Sequence, residues 1–191
     1  MNICVFCSSA NNLNEKYQTT ARQLGEKIAK GNHQLVYGGA KVGLMHIVAE
    51  NTRNHGAQTI GIVAQVIKNN NVASSSDDQQ FITPTMHERK ALMREKSDAV
   101  IALPGGFGTL EELLEVLTLK QLGEINIPVV IFNIDHYYDH LIDQFKTAVK
   151  DGFSKEAYLG LYLETTSIDD AFEYIETYRN TSDKTSITKW N

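Results

Sequence analysis

The sequence predicts an α/β fold in three layers, a parallel sheet with helices on both faces. Two observations predict it. Short continuous apolar runs alternate with longer segments whose apolar residues recur at spacings of three and four, so strands alternate with helices. Three of the strand-like runs end in loops of very small residues, "CSSANN", "YGGAKVGL" and "PGGFGTLEE", where ligands sit in such sheets. The chain has 191 residues, which sets one domain as the expectation. We assign residues 1–180 to that domain and 181–191 to a polar tail.

"NICVFC" opens as a strand suited to a buried position. From Asn14 to Lys30, Tyr17, Ala21, Leu24 and Ile28 keep a helix period, and Gly31 closes it. "QLVYGG" is the next strand, followed by a helix from about Gly43 to His55, and "QTIGIVA" is the third strand. Residues 65–84 include "NNNVASSSDDQQ", a polar, turn-rich run that reads as a surface loop. The remaining order is helix in "MHERKALMREKSD", strand in "AVIALPGG", helix from Thr109 to Leu122 and strand in "IPVVIFN". A helix from about Tyr137 to Lys150, a strand in "LYLETT" and a helix from Ile168 to about Tyr178 complete it.

Composition narrows the function. Hydrophobic content of 42% and charged content of 21% describe a globular chain. A net charge of -5 argues against a general nucleic-acid binder. The N-terminus lacks the basic region of a signal peptide, and no run reaches the ~18 apolar residues of a membrane span; a soluble, cytoplasmic protein is expected. Cys4 and Cys7 are spaced C-x-x-C. A redox pair sits where a helix begins, whereas these two lie in a strand-like run that points them to opposite faces. They read as core thiols.

The glycine loops carry the chemistry. Gly38, Gly39, Gly43, Gly105, Gly106 and Gly108 let backbone approach a ligand closely. A strand, a glycine turn and a helix start together form an anion site, with phosphate as the natural guest. Neither loop has the G-x-G-x-x-G or G-K-[ST] pattern of the well-known nucleotide loops.

Behind the third loop, Thr109 and Glu112 fit a capping box, with Thr109 at the N-cap. Leu110, Leu113, Leu114 and Leu117 form one stripe on that helix, with Glu112 opposite. Val116 and Leu119 share the Glu112 side, so that side should meet another surface, such as a second subunit, with Glu112 at the edge of a partly enclosed site. Arg89 and Lys90 supply the opposite charge on the preceding helix: a planar fork suited to phosphate or carboxylate, and a point charge.

With these residues in place, "MHERKALM…SDAVIALPGGFGTLEELLEVLTLKQLG" resembles the LOG ("Lonely guy") family, the cytokinin riboside 5'-monophosphate phosphoribohydrolases. The signature P-G-G-x-G-T-x-x-E is Pro104, Gly105, Gly106, Phe107, Gly108, Thr109, Leu110, Glu111 and Glu112, and the paired Arg-Lys is Arg89 and Lys90. The likeness runs from about residue 2 to 153. It implies a Rossmann-like fold, a homodimer, no metal, no cofactor, and hydrolysis of a nucleoside 5'-monophosphate to free base and ribose 5-phosphate. It implies Arg89 and Glu112 as catalytic residues and Glu111 on the ribose hydroxyls. Ser8, Gly38, Gly39, Met86, Lys90 and Thr118 join the residues of the Pro104–Thr109 loop as candidate substrate contacts. Members have often been labelled lysine decarboxylases, a label that calls for a pyridoxal phosphate lysine; the residues give no support for one.

The chain departs from the family pattern at Ala64, Gln65 and Val66, where members carry a proline and a glutamate, at His46, and at Ser8 in place of a glycine. These departures leave the base open between a cytokinin type and AMP or another nucleotide. The alternative is a non-catalytic nucleotide-binding or carrier module, the role that related Rossmann-like domains fill without turnover. His136 and His140 have the spacing of two metal ligands without a third. Trp190 falls in the polar tail.

Overall fold

A computed structural model of the chain describes residues 1–178, so the polar tail and Trp190 lie outside the described residues. Strands β1 (Asn2–Phe6), β2 (Gln34–Tyr37), β3 (Thr59–Ala64), β4 (Gln79–Thr83), β5 (Ala99–Ala102), β6 (Val129–Phe132) and β7 (Leu163–Thr165) form one sheet. Its order is β4-β3-β2-β1-β5-β6-β7, and every pair is parallel. The helices are α1 (Glu15–Lys30), α2 (Gly43–Asn54), α3 (Gln65–Asn69), α4 (Met86–Glu95), α5 (Phe107–Leu122), α6 (Asp139–Lys150) and α7 (Ile168–Thr177). The three-layer expectation holds.

The two faces follow from strand alternation. Ile3, Val5 and Cys7 join Leu24 and Ile28 of α1, Leu44 and Val48 of α2, and Phe172 of α7 in one core. Cys4 and Phe6 join Met93 of α4, Leu113 and Val116 of α5, and Ile142 of α6 in the other. Both thiols are buried, free and on opposite faces, as expected. Burial raises the Cys4 pKa to about 12 and pushes Cys7 up as well.

Helix ends match local signals at α1. Asn14 accepts the N–H of Lys16 at its start, and Gly31 donates its own N–H to the Lys27 carbonyl at 3.0 Å at its end. The α6 helix starts at Asp139 rather than Tyr137, because Ile134–His136 is a separate 3-10 turn.

One expected element was wrong. Residues 65–84 are not a plain loop: they hold α3 and then β4, an edge strand paired with β3 from Ile60↔Gln79 to Ala64↔Thr83. Two aspartates just ahead of β4 bind it to the sheet. Asp77 accepts from the Tyr37 hydroxyl at 2.7 Å, the Thr59 hydroxyl at 3.1 Å and Arg53 at 3.2 Å, and Asp78 accepts from the Thr59 N–H at 2.8 Å. A Cβ on Gly61 would collide with the Asp77 carboxylate. The partners are 18 to 40 residues away in sequence, so local polarity misled.

The chain enters at the sheet centre, runs outward to β4, and returns to β5 beside β1. That return is the topological switch, and the crevice above it is where ligands bind in open α/β sheets. The loops after β1 and β5 meet there. Leu103 donates to the Phe6 carbonyl at 2.9 Å, and Ser8 to the Pro104 carbonyl at 3.2 Å.

Candidate active site

Arg89 comes from the first turn of α4 and Glu112 from the second turn of α5, 23 residues apart. An Arg89 guanidinium N–H donates to Glu112 Oε1 at 2.8 Å. The guanidinium's Nε–H is anchored on the Ile62 carbonyl of β3 at 2.9 Å. Side-chain exposure is 6% for Arg89 and 12% for Glu112, so the pair is shielded and its charges act in a lowered dielectric. Burial raises the Glu112 pKa above the ordinary carboxylate value, and the charge of Arg89 pulls against that rise. Glu112 thus keeps a proton more readily than an exposed glutamate.

Beside this pair runs a second ladder. Lys90 donates to Glu111 and, at 3.0 Å, to Glu115, and Arg94 reaches Glu115 at 3.1 Å. Burial disfavours the Lys90 ammonium, but the two carboxylates outweigh it and hold its pKa above the ordinary value. A Schiff-base lysine requires the opposite shift.

The capping-box expectation for Thr109 is overturned. The N-cap of α5 is Gly106, with no side-chain cap, and Thr109 is the third helical residue. Gly106 takes extended backbone there, and the first helical bond runs from Leu110 N–H to the Gly106 carbonyl at 3.0 Å. The N–H groups of Phe107, Gly108 and Thr109 therefore precede the bonded turns and can take an outside acceptor. A Cβ on Gly106 or Gly108 would meet nothing within 4 Å, so both residues border open space. Thr109 itself is buried and packs over Gly105. Glu112 is free of any capping duty.

The second glycine loop behaves differently. The start of α2 is filled by the chain's own groups: Gly43 N–H donates to Asn11 Oδ1 at 3.1 Å and Leu44 N–H to the Ser8 carbonyl at 2.9 Å. Gly39 and Gly43 have positive φ and pack against backbone or Val63. Gly38 provides room for a side chain: any Cβ there would run into the Arg89 guanidinium and come within 3.0 Å of Met45 Sδ. Gly38 and Gly39 are close-packed here, and Ser8 donates its N–H to the Pro104 carbonyl while its own carbonyl accepts from Leu44.

The leucine stripe of α5 also needs correction. The buried residues are Thr109, Leu113, Val116 and Leu117, while Leu114 is exposed. The side shared with Val116 meets the chain's own sheet, next to Met93 and Phe6. Apolar residues lie all around this helix, so only tertiary contacts choose the buried side. Thr118 lies a turn and a half beyond Glu112, bonded to the Leu114 carbonyl at 2.7 Å and facing a small cleft with Phe145 and Tyr158. The structure does not bring it to the Arg89–Glu112 pair. Met86 begins α4, and Phe107, 94% exposed, begins α5. His136 pairs with Asp139 at 3.1 Å.

Comparisons with known proteins identify the family and the fold. A family model described as "Possible lysine decarboxylase" matches residues 45–176. A rice (Oryza sativa subsp. japonica) protein, "Probable cytokinin riboside 5'-monophosphate phosphoribohydrolase LOGL2", is 37% identical over 189 residues, covering 98% of this chain and 78% of its own length. The Arabidopsis thaliana cytokinin riboside 5'-monophosphate phosphoribohydrolase LOG3 is 38% identical over 176 residues, 92% of this chain and 82% of its own. The chain belongs to the LOG family. Among solved structures, a molybdenum cofactor binding protein from Rippkaea orientalis aligns with TM-score 0.70 and 26% identity over 92% of this chain and 95% of its own. A molybdenum cofactor carrier protein from Chlamydomonas reinhardtii, at TM-score 0.68 and 21% identity over 92% and 95%, shares the fold. The Rossmann-like architecture is thus common to the LOG family and to these carriers.

Several supporting groups were invisible in the sequence of this LOG-family chain. The Ile62 carbonyl that anchors Arg89 is a main-chain atom of an apolar run. Glu115 looked like one more helix-face charge. Tyr137 and Tyr138 read as the start of a helix, yet the Tyr137 hydroxyl donates to the Gly105 carbonyl and the Tyr138 hydroxyl to the Leu103 carbonyl, each at 2.7 Å.

Proposed function

We propose that the protein hydrolyses the N-glycosidic bond of a nucleoside 5'-monophosphate, a cytokinin riboside 5'-monophosphate or AMP, to free base and ribose 5-phosphate. One observation carries the reading: a shielded Arg89–Glu112 pair at 2.8 Å stands beside the open start of α5. The N–H groups of that helix start hold the 5'-phosphate through hydrogen bonds and the helix dipole. The phosphate tethers the ribose, so that C1' lies over Glu112. As the bond from C1' to the base lengthens, positive charge builds on the ribose, and the Glu112 carboxylate stabilises it and orients the incoming water. The water adds its oxygen to C1', its proton is taken up at Glu112, and the bonding pair leaves with the base. Arg89, fixed by Ile62 and Glu112, keeps the carboxylate ionised against burial. Glu111 exchanges Lys90 for the ribose hydroxyls.

The names of the plant relatives support the substrate class, and a phosphorylated nucleotide supports a cytoplasmic location. Phe107 at the start of α5 is almost fully exposed and Met86 at the start of α4 is half-exposed, which supports a homodimer that covers these apolar side chains. No helix of the described residues is long and apolar enough to cross a membrane.

The test is direct. The protein is incubated with AMP and with isopentenyladenosine monophosphate, and free base is sought by chromatography. Release of base from either supports the reading, and intact nucleotides that bind without turnover point to a carrier module instead.

A further inference from the structure

The loop between β6 and α6 carries strain that the core does not require. Asp135 and His136 follow one another with φ of 51° and 62°, left-handed values that are costly for side chains larger than glycine. Such a pair persists only where its surroundings over-determine it. They do so here. Lys16 pairs with Asp135, and His136 with Asp139. Asn133, buried at the end of β6, donates to Asp139 at 2.8 Å and Glu164 at 2.6 Å, and accepts from the Tyr138 N–H at 2.7 Å.

The product of that strain is the placement of Tyr137. Its side chain is 44% exposed, so apolar burial does not explain its position. Its ring meets Tyr17 edge-on at 6.1 Å, and its hydroxyl donates to the Gly105 carbonyl at 2.7 Å. Neighbouring Tyr138 holds the Leu103 carbonyl in the same way. The two bonds flank Pro104 and fix the turn that leads into α5.

The Gly105 carbonyl and the Gly106 N–H belong to one peptide unit. In a planar trans unit they point in opposite directions, so fixing one fixes the other. A peptide between two glycines rotates with little steric resistance, and Gly106 borders open space. Such a unit needs an external restraint to present its N–H reliably. We propose that Tyr137 is a positioning residue for the anion loop: its hydroxyl holds the Gly105 carbonyl away from the crevice and so directs the Gly106 N–H toward a bound phosphate. The proposal rests on the nucleotide reading above and adds to it a residue outside the P-G-G-x-G-T-x-x-E run.

The experiment compares the wild-type protein with Tyr137→Phe. The ligands are ribose 5-phosphate, which needs no turnover, and adenosine, which lacks the phosphate; both are measured by titration calorimetry. One charge-assisted hydrogen bond is withdrawn, so ribose 5-phosphate should bind about tenfold more weakly to the variant. Adenosine affinity should stay within about twofold, as expected for a site left intact. With AMP as substrate, KM should rise while kcat holds, because the phosphate contact is made in ground state and transition state alike. A matched urea midpoint shows that the fold is retained. Equal ribose 5-phosphate affinity in the two proteins overturns the role of Tyr137 and leaves the hydrolase reading standing. Equal losses for both ligands overturn it too, since that is general loosening. Wild-type protein that binds neither ligand overturns the nucleotide reading and this inference with it.

Discussion

The guanidinium of Arg89 lies in the space that a side chain on Gly38 would occupy. The two residues are far apart in sequence, and nothing local in either run shows that they touch. In the fold, the bare Cα of Gly38 on the loop after β2 lets Arg89 lie flat between the Ile62 carbonyl and Glu112.

Gly38→Ala should therefore damage the site more than the fold. The added methyl must displace the arginine from both of its anchors. We expect a stability loss of about 1–3 kcal/mol, as for an overpacked site. The rate of base release should drop by at least roughly tenfold through loss of the ordered pair. Thermal melting and a chromatographic base assay measure the two. An alanine variant with full activity would show that Arg89 need not occupy this place.

Glu112→Gln should abolish most turnover while sparing binding. Removing a positioned carboxylate of this kind costs about 10²–10⁴-fold in rate, whereas the phosphate contacts proposed for the start of α5 are left in place. The measurement is kcat for AMP beside the affinity for ribose 5-phosphate. Unchanged turnover would mean that the chemistry lies elsewhere.

The acid side of the pH profile reports on the same pair. Burial raises Glu112 above its ordinary value of 4.5, and Arg89 opposes the rise. In the proposed mechanism the ionised carboxylate is the working form, so kcat/KM should fall on acidification with a midpoint above 4.5. Arg89→Gln removes the opposing charge, and its residual activity should show that midpoint at still higher pH. For stability the sign is set by proton uptake. Between the unfolded and folded pKa values the folded state holds more protons, so this group's contribution weakens as pH rises through that window. The Glu112→Gln protein should lack that component in a series of urea melts.

Cys4 and Cys7 should be inert in the folded protein. Both are buried on opposite faces of the sheet, and burial holds both thiols protonated, Cys4 with a pKa of about 12. A thiol-reactive dye at pH 8 should label neither until denaturant is added, after which both react. Rapid labelling of the native protein would contradict the packing of β1.

The strands at the sheet centre were legible because both their faces are buried, which demands continuous apolar runs such as "ICVFC" and "VVIF". The edge strand β4 was not: Gln79 and Gln80 face solvent, and Asp77, Arg53 and Tyr37 hold its start in place. The signature run from Pro104 to Glu112 revealed the glycine turn before α5 and the carboxylate that follows it. It misplaced the N-cap, because glycine at position 106 can begin a helix without any side-chain signal.

By itself, then, the chain's order of apolar and polar residues determined the alternation of strands and helices, the glycine turn before α5, and the charge types brought to it. Those are local properties, written in periods of two and 3.6 residues. The tertiary structure decided which side of α5 is buried, that Gly38 leaves room for Arg89, and that two tyrosines from another loop brace the turn at Gly105. These outcomes depend on contacts between segments tens of residues apart, where close packing leaves room for one side chain and excludes another.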